Sequence, residues 1–301
     1  MTILNGIVKH ILYKKIMPNT RSKGYTAPIK LTDTVCIGDR SYSMVSTNGG
    51  SQEGSVQYMR TQRDAASTSV ATTGNYVQYV SFDSVDHVVY FGDSKDITED
   101  DLGRVYENMK PRGGTRLYDT IHKYLNQQMN RIDETIKGLS KEVKGLVNDN
   151  MSMVAATFAV ITDGNDNEST ITSLDCKKLF KKYKDDYGGI ALFIAANQNA
   201  SATANLIGID ENNALQMGND RDSSINAAKA VAQAQVRMVS GTLGGGNGET
   251  FTQYERQVSD NNTGSSNNTG SSNNTGQPTM ASGGLGGGDC LSGGERDNTS
   301  W

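Results

Sequence analysis

Five oxygen-bearing side chains fall where they could share one metal ion. Asp39, Ser41 and Ser43 alternate in the stretch Asp39-Arg40-Ser41-Tyr42-Ser43-Met44, and alternate positions of an extended segment face the same way. Thr115 follows two glycines in Gly113-Gly114-Thr115, where missing side chains let the backbone approach closely. Asp163 lies just after the apolar run 153–161, in Ile161-Thr162-Asp163-Gly164. Two carboxylates and three hydroxyls, with no Cys or His among them, form a hard-oxygen set suited to Mg2+, with Mn2+ as the second choice. Five protein groups, some acting through water, leave room in an octahedron for an outside ligand. Two negative charges merely neutralise a divalent ion, so an incoming anion such as a carboxylate is favoured there.

These residues are far apart in sequence, so the fold must gather them. From residue 31 onward, strand-like and helix-like stretches alternate. Leu31–Gly38 reads as a short strand and Gly54–Thr72 as a helix. Tyr76–Phe82 and Val85–Phe91 read as a hairpin around Asp83-Ser84. Asp96–Lys110 begins with acids and ends with Lys, as helices do. Leu117–Val147 is a long helical pattern, and Met153–Ile161 a strand buried on both faces. A helix over Leu174–Tyr187, strands over Ile190–Ala196 and Ala214–Met217, and an alanine-rich helix over Ser223–Val239 complete the pattern. Such alternation predicts an α/β doubly wound, Rossmann-like, mostly parallel sheet with helices on both faces. Sites in these sheets lie outside the carboxyl ends of central strands, where the winding reverses. Asp39 and Asp163 each follow a strand, so both are expected at one crevice.

The 301 residues comprise 29 basic and 33 acidic side chains, 35% hydrophobic residues and 33 glycines. Residues 242–301 hold 14 of those glycines and the whole net charge of −4. Their repeat NNTGSS-NNTGSS-NNTG has no helical or strand period, so this segment is expected to be a disordered Gly/Asn/Ser-rich tail. Residues 1–30 carry six Lys/Arg and no acid, with Ile3, Leu4, Ile7, Val8, Ile11, Leu12 and Ile16 at helical spacing. This basic amphipathic segment is expected to pack on the chain's own domain or fray, with a membrane surface or a partner as the alternative. The domain proper is then 31–241. Its 21 basic against 27 acidic side chains, a net of −6, exclude a uniformly basic nucleic-acid binder. No run is long enough for a transmembrane helix. Cys36, Cys176 and Cys290 are odd in number and widely spaced, and the N-terminus lacks a secretory pattern. A reducing, cytoplasmic location is expected, with a virus particle as the alternative.

D-x-S-x-S after the first strand, a Gly-Gly-Thr loop and an apolar strand ending in T-D-G together resemble the metal-ion-dependent adhesion site of von Willebrand factor A domains. The resemblance covers roughly residues 31–240. It extends to Phe82-Asp83, to Pro111-Arg112-Gly113-Gly114-Thr115-Arg116-Leu117-Tyr118-Asp119, and to the stretches 161–170 and 193–208. It is nearer to intracellular single-domain members from bacteria and their viruses than to secreted adhesion proteins. It implies a six-stranded sheet with one antiparallel edge strand and a bound Mg2+. Ser41, Ser43 and Thr115 would contact the metal, with Asp39 and Asp163 acting directly or through water. It also implies a partner protein whose Asp or Glu takes the open position. Tyr42 stands where the family usually has Gly, which sets a phenol beside the metal. Arg40, Tyr42 and Arg116 are the candidate partner-binding residues.

A catalytic reading has less behind it. His87 falls in a strand, His122 on a helix without a nucleophile nearby, and no phosphate-binding glycine loop is present. The expected function is therefore non-enzymatic: a metal-dependent protein-interaction module. The alternative is an architectural component of an assembly such as a virus particle, with the metal incidental. Tyr118, Ile121, Leu125, Met129, Ile132, Ile136, Leu139, Val143 and Leu146 form a stripe along 117–147 that is mainly core. Its far part, or the N-terminal helix, could serve self-association.

Overall fold

The computed structural model describes residues 31–68, 75–138, 154–240 and 250–260. All lie in one compact unit, Met1–Ser265. Six strands form one sheet in the order β3-β2-β1-β4-β5-β6: β1 (Leu31–Asp39), β2 (Asn75–Phe82), β3 (Asp86–Asp93), β4 (Val154–Thr162), β5 (Ile190–Ala195) and β6 (Ala214–Gln216). Every neighbouring pair is parallel except β2–β3. The expected sheet, with its single antiparallel edge strand, is the one observed. The hairpin turns where Asp83 Oδ1 accepts the Val85 amide at 2.8 Å.

The central strands are apolar throughout because both faces are covered. Val35 and Ile37 of β1, Phe158 and Val160 of β4 and Phe193 of β5 point to one face. There they meet helices Leu117–Gly138, Ser173–Tyr187 and Ala200–Ile207. The intervening Cys36, Ala159, Ile161, Leu192 and Ile194 point to the other face. That side is covered by helices Gly50–Thr68, Glu99–Asn108 and Arg221–Ser240. Local chemistry sets several helix ends. Thr98 with Asp101, and Thr172 with Asp175, form capping boxes, which satisfy orphan amides reciprocally. Gly188 ends its helix in the left-handed region at φ 60°.

Ile121, Leu125, Met129 and Ile132 of the long stripe are buried, and Tyr118 and Ile136 pack beside them. Leu139, Val143 and Leu146 lie outside the described residues, as do the N-terminal segment 1–30 and residues 261–301. Two helices went unforeseen. One is Ala200–Ile207, capped by the Asn199 side chain on the Ala202 amide at 3.0 Å. The other is Gln253–Asp260, inside the stretch assigned to the tail. Phe251 before it is fully buried, and Glu255 pairs with Arg237 at 2.9 Å. The composition of 60 residues, averaged, concealed eight that tertiary contacts hold in place.

Candidate metal centre

β1 lies between β2 and β4. The chain winds away from β1 on one side through β2 and β3, then returns on the other side through β4. Loops after β1 and β4 therefore diverge at their carboxyl ends and leave a crevice. Asp39 is the last residue of β1, and Asp163 follows β4 directly. Both are buried, at 0% and 3% exposure.

The D-x-S-x-S stretch converges, but not by alternation along an extended segment. Asp39 Oδ1 accepts the Ser41 amide at 2.7 Å, which bends the chain just after β1. Ser41 then starts a short 3-10 helix, Tyr42–Thr47, without using its hydroxyl as a cap. That hydroxyl lies 2.9 Å from Ser43 Oγ, and Ser43 Oγ donates to Asp163 Oδ1 at 2.7 Å. A turn brings the three donors together because Asp side chains readily bind amides two residues on.

Thr115 is fixed through its backbone. Its amide donates to Asn167 Oδ1 at 2.9 Å, and its carbonyl accepts the Asn167 amide at 3.0 Å and the Glu168 amide at 3.2 Å. Its side-chain oxygen borders Gly164. A methyl group built on Gly164 would sit 3.4 Å from Ser43 Oγ and 3.5 Å from Thr115 Oγ1. Asp39, Ser41, Ser43, Thr115 and Asp163 are thus brought to one crevice. Gly113, at φ 69°, turns the chain ahead of Thr115 in a conformation that favours glycine. A side chain on Gly114 would run into the Glu168 carboxylate.

Charge here is unbalanced. Among the described residues no Lys or Arg pairs with Asp39 or Asp163. Asp39 Oδ2 accepts from Thr162 Oγ1 at 2.6 Å. Asp163 Oδ2 is buried with no hydrogen-bond partner among the described residues. Burial pushes the Asp39 carboxyl up to about 6, against the lowering effect of Thr162 and Ser41, with the neighbouring Asp163 charge adding to the rise. Burial raises Asp163 as well, opposed by its bond from Ser43. Two desolvated carboxylates and an orphaned oxygen fit a divalent cation, which would compensate charge that the chain leaves uncompensated. Among the described residues no three His, Cys, Asp or Glu side chains gather, so a metal here would take hydroxyl oxygens too. The cavity behind Asp39, between Met44, Met109, Met217 and Tyr79, is about 10 Å³. It has room for one water at most.

The three candidate partner-binding residues differ. Arg40 is withdrawn from the rim. At 2% exposure, its Nε lies 2.9 Å from Asp83 Oδ2, and Nη1 donates to the Asn108 carbonyl at 2.9 Å. The Asp83 carboxylate compensates its buried charge, although among the described residues Nη2 finds no hydrogen-bond partner. Tyr42 stands 71% exposed, with its amide on the Gly113 carbonyl at 3.1 Å. Arg116 is half-exposed and pairs with Asp119 at 3.0 Å. Asp166 accepts the Tyr118 amide at 3.2 Å. Sequence reasoning gave no role to Thr162, Asn167 or Asp83. A hydroxyl closing an otherwise apolar strand was a signal for Thr162. Asn167 acts across the fold and left none, and Asp83 was legible only as part of the hairpin turn and the Phe82-Asp83 pair.

No protein-family model and no curated relative matches the chain. Its shape is similar to several solved structures. A von Willebrand factor type A from Catenulispora acidiphila shares 13% identity at a TM-score of 0.42, over 69% of this chain and 43% of that one. Proximal thread matrix protein 1 from the mussel byssus, with a zinc occupied MIDAS motif, shares 13% at 0.46, over 70% and 48%. The manganese-loaded Plasmodium vivax TRAP protein shares 15% at 0.41, over 66% and 72%. The chain spans less than half the length of the first two.

Proposed function

We propose that this protein is a non-enzymatic, metal-dependent interaction module of the von Willebrand factor A type, acting in a reducing, cytoplasmic setting. Ser41, Ser43 and Thr115 would hold Mg2+ through their hydroxyls, with Asp39 and Asp163 contributing directly or through water. When bound, the ion would supply a Lewis-acidic position for an Asp or Glu of a partner protein. The observation that carries this reading is the pair of buried carboxylates that no cationic side chain among the described residues reaches, one of them with an oxygen unpartnered among those residues. The chain's own residues do the rest. Thr162 orients Asp39, the Asn167 clamp sets Thr115, and Gly164 leaves space between the Ser43 and Thr115 hydroxyls.

The described histidines stand apart from these residues: His122 engages Asn126 on its own helix, and His87 is exposed on the edge strand β3. The test is partner capture from lysate with Mg2+ or with EDTA, alongside Asp39→Ala and Thr115→Ala. Loss in all three arms is expected, together with loss of Mg2+ binding by calorimetry. Capture indifferent to all three favours the architectural role. Phosphatase or nuclease turnover that needs Mg2+ and disappears in Asp163→Ala would make it an enzyme instead.

A further inference from the structure

The crevice has two rims of opposite character, one on each side of β1. On the β2 side, backbone hydrogen bonds tie three loops together. The Tyr42 amide meets the Gly113 carbonyl, the Arg112 amide meets the Arg40 carbonyl at 2.7 Å, and the Gly114 amide meets Ser84 Oγ at 2.9 Å. These bonds place Tyr42, Val85 and Arg112 on adjoining loops. Tyr42 and Val85 are 71% and 57% exposed. Asp83 Oδ2 receives both Arg40 and Arg112, each at 2.9 Å. Two guanidiniums share one carboxylate, so one positive charge is in excess. It belongs to the rim, because Arg40 is buried and Arg112 is 62% exposed.

On the β4 side the sign reverses. Glu168 is exposed, its carboxylate lies over Gly114, and no Lys or Arg among the described residues pairs with it. A carboxylate approaching from that side meets repulsion, and one approaching from the β2 side meets Arg112.

We infer that the partner segment carries two acids: one for the metal, and a second, beside an apolar side chain, for the Arg112–Val85–Tyr42 rim. This rests on the metal-dependent reading above. Arg112 is then a specificity-determining residue, and charge complementarity, more than area, fixes the partner's orientation.

The probes are three blocked peptides, Gly-Asp-Leu-Glu-Gly, Gly-Asp-Leu-Gln-Gly and Gly-Asp-Leu-Lys-Gly, titrated at low salt into the full chain with Mg2+ or EDTA. Mg2+ binding is measured separately without peptide. The wild type is expected to prefer the Glu peptide over the Gln peptide about three- to fivefold, the scale of an exposed ion pair. Arg112→Gln should erase that preference and Arg112→Glu should turn it toward the Lys peptide, both with unchanged Mg2+ affinity. Equal binding of the Glu and Gln peptides by the wild type overturns the inference. So does a preference that survives Arg112→Gln, or Mg2+ binding with no peptide bound. If Mg2+ itself does not bind, the metal-dependent reading fails. The EDTA arm then decides: a Glu preference that still depends on Arg112 leaves the rim standing alone, and no preference removes both.

Discussion

Strand β1 carries an aspartate near each end, and the two are treated in opposite ways. Near its start, Asp33 receives Arg131 Nε and Nη2 at 3.0 and 2.9 Å, and Gln128 Nε2 at 3.1 Å. The Arg131 guanidinium also lies 5.1 Å from the centre of the Phe91 ring. At the other end, Asp39 receives among the described residues only an amide and a hydroxyl. One carboxylate is compensated by the chain and the other is left charged in a dry crevice. Asp83, next door and equally buried, belongs with Asp33, since Arg40 and Arg112 both reach it. Burial of an acid alone therefore does not mark a metal ligand. Burial without a cation does, because desolvating a lone charge costs more than a few neutral hydrogen bonds return.

The strongest way to break this comparison is to uncouple a compensated pair. Asp83→Ala leaves Arg40 charged and buried, and should cost about 3–5 kcal/mol in urea unfolding. An effect under 1 kcal/mol would show that these acids are not compensated as described.

Proton linkage is next in size. The Asp39 carboxyl sits at about 6 in the folded chain against an ordinary 3.8. Between those values the folded state keeps a proton that the unfolded state has released. Without metal, the Asp39 contribution to stability should therefore fall as pH rises from about 4 to about 6, by roughly 3 kcal/mol, and level off above. Urea titrations across that range should show the slope, and Asp39→Asn should flatten it.

A slightly smaller effect is expected from the cation. Mg2+ at a hundredfold excess over its dissociation constant should stabilise the fold by about 2.7 kcal/mol. Thermal melts should show this gain in the wild type and in Asp33→Asn. Its persistence in Asp39→Ala would relocate the site.

The smallest expected effect sharpens the comparison by touching no proposed ligand. Asn167→Ala removes the side-chain half of the Thr115 clamp and should weaken Mg2+ binding about tenfold. Stability should fall by about 1 kcal/mol, a typical hydrogen bond.

Much of the fold was legible because its signals are local. The apolar run of β4 shows burial on both faces, and the acids opening Glu99–Asn108 show a helix start. The candidate site was legible as a set of residue types at strand ends. The mode of convergence was not, because a turn after Asp39 and an extended segment present the same residues. Helix Gln253–Asp260 was hidden for a different reason. Phe251, the Glu255 pair with Arg237 and the Arg256 bond to the Ala214 carbonyl hold it from distant sequence positions.

The sequence by itself determined which oxygens are present and, for all but Thr115, which strand ends they follow, since both depend on residue type and local period. Only the tertiary structure decided which acids are neutralised. It turned Arg40 inward to Asp83, gave Arg131 to Asp33, and among the described residues left Asp39 and Asp163 with no cation. Compensation is a through-space property that decays over a few ångströms. Positions far apart in the chain can meet or miss it with no trace in their spacing.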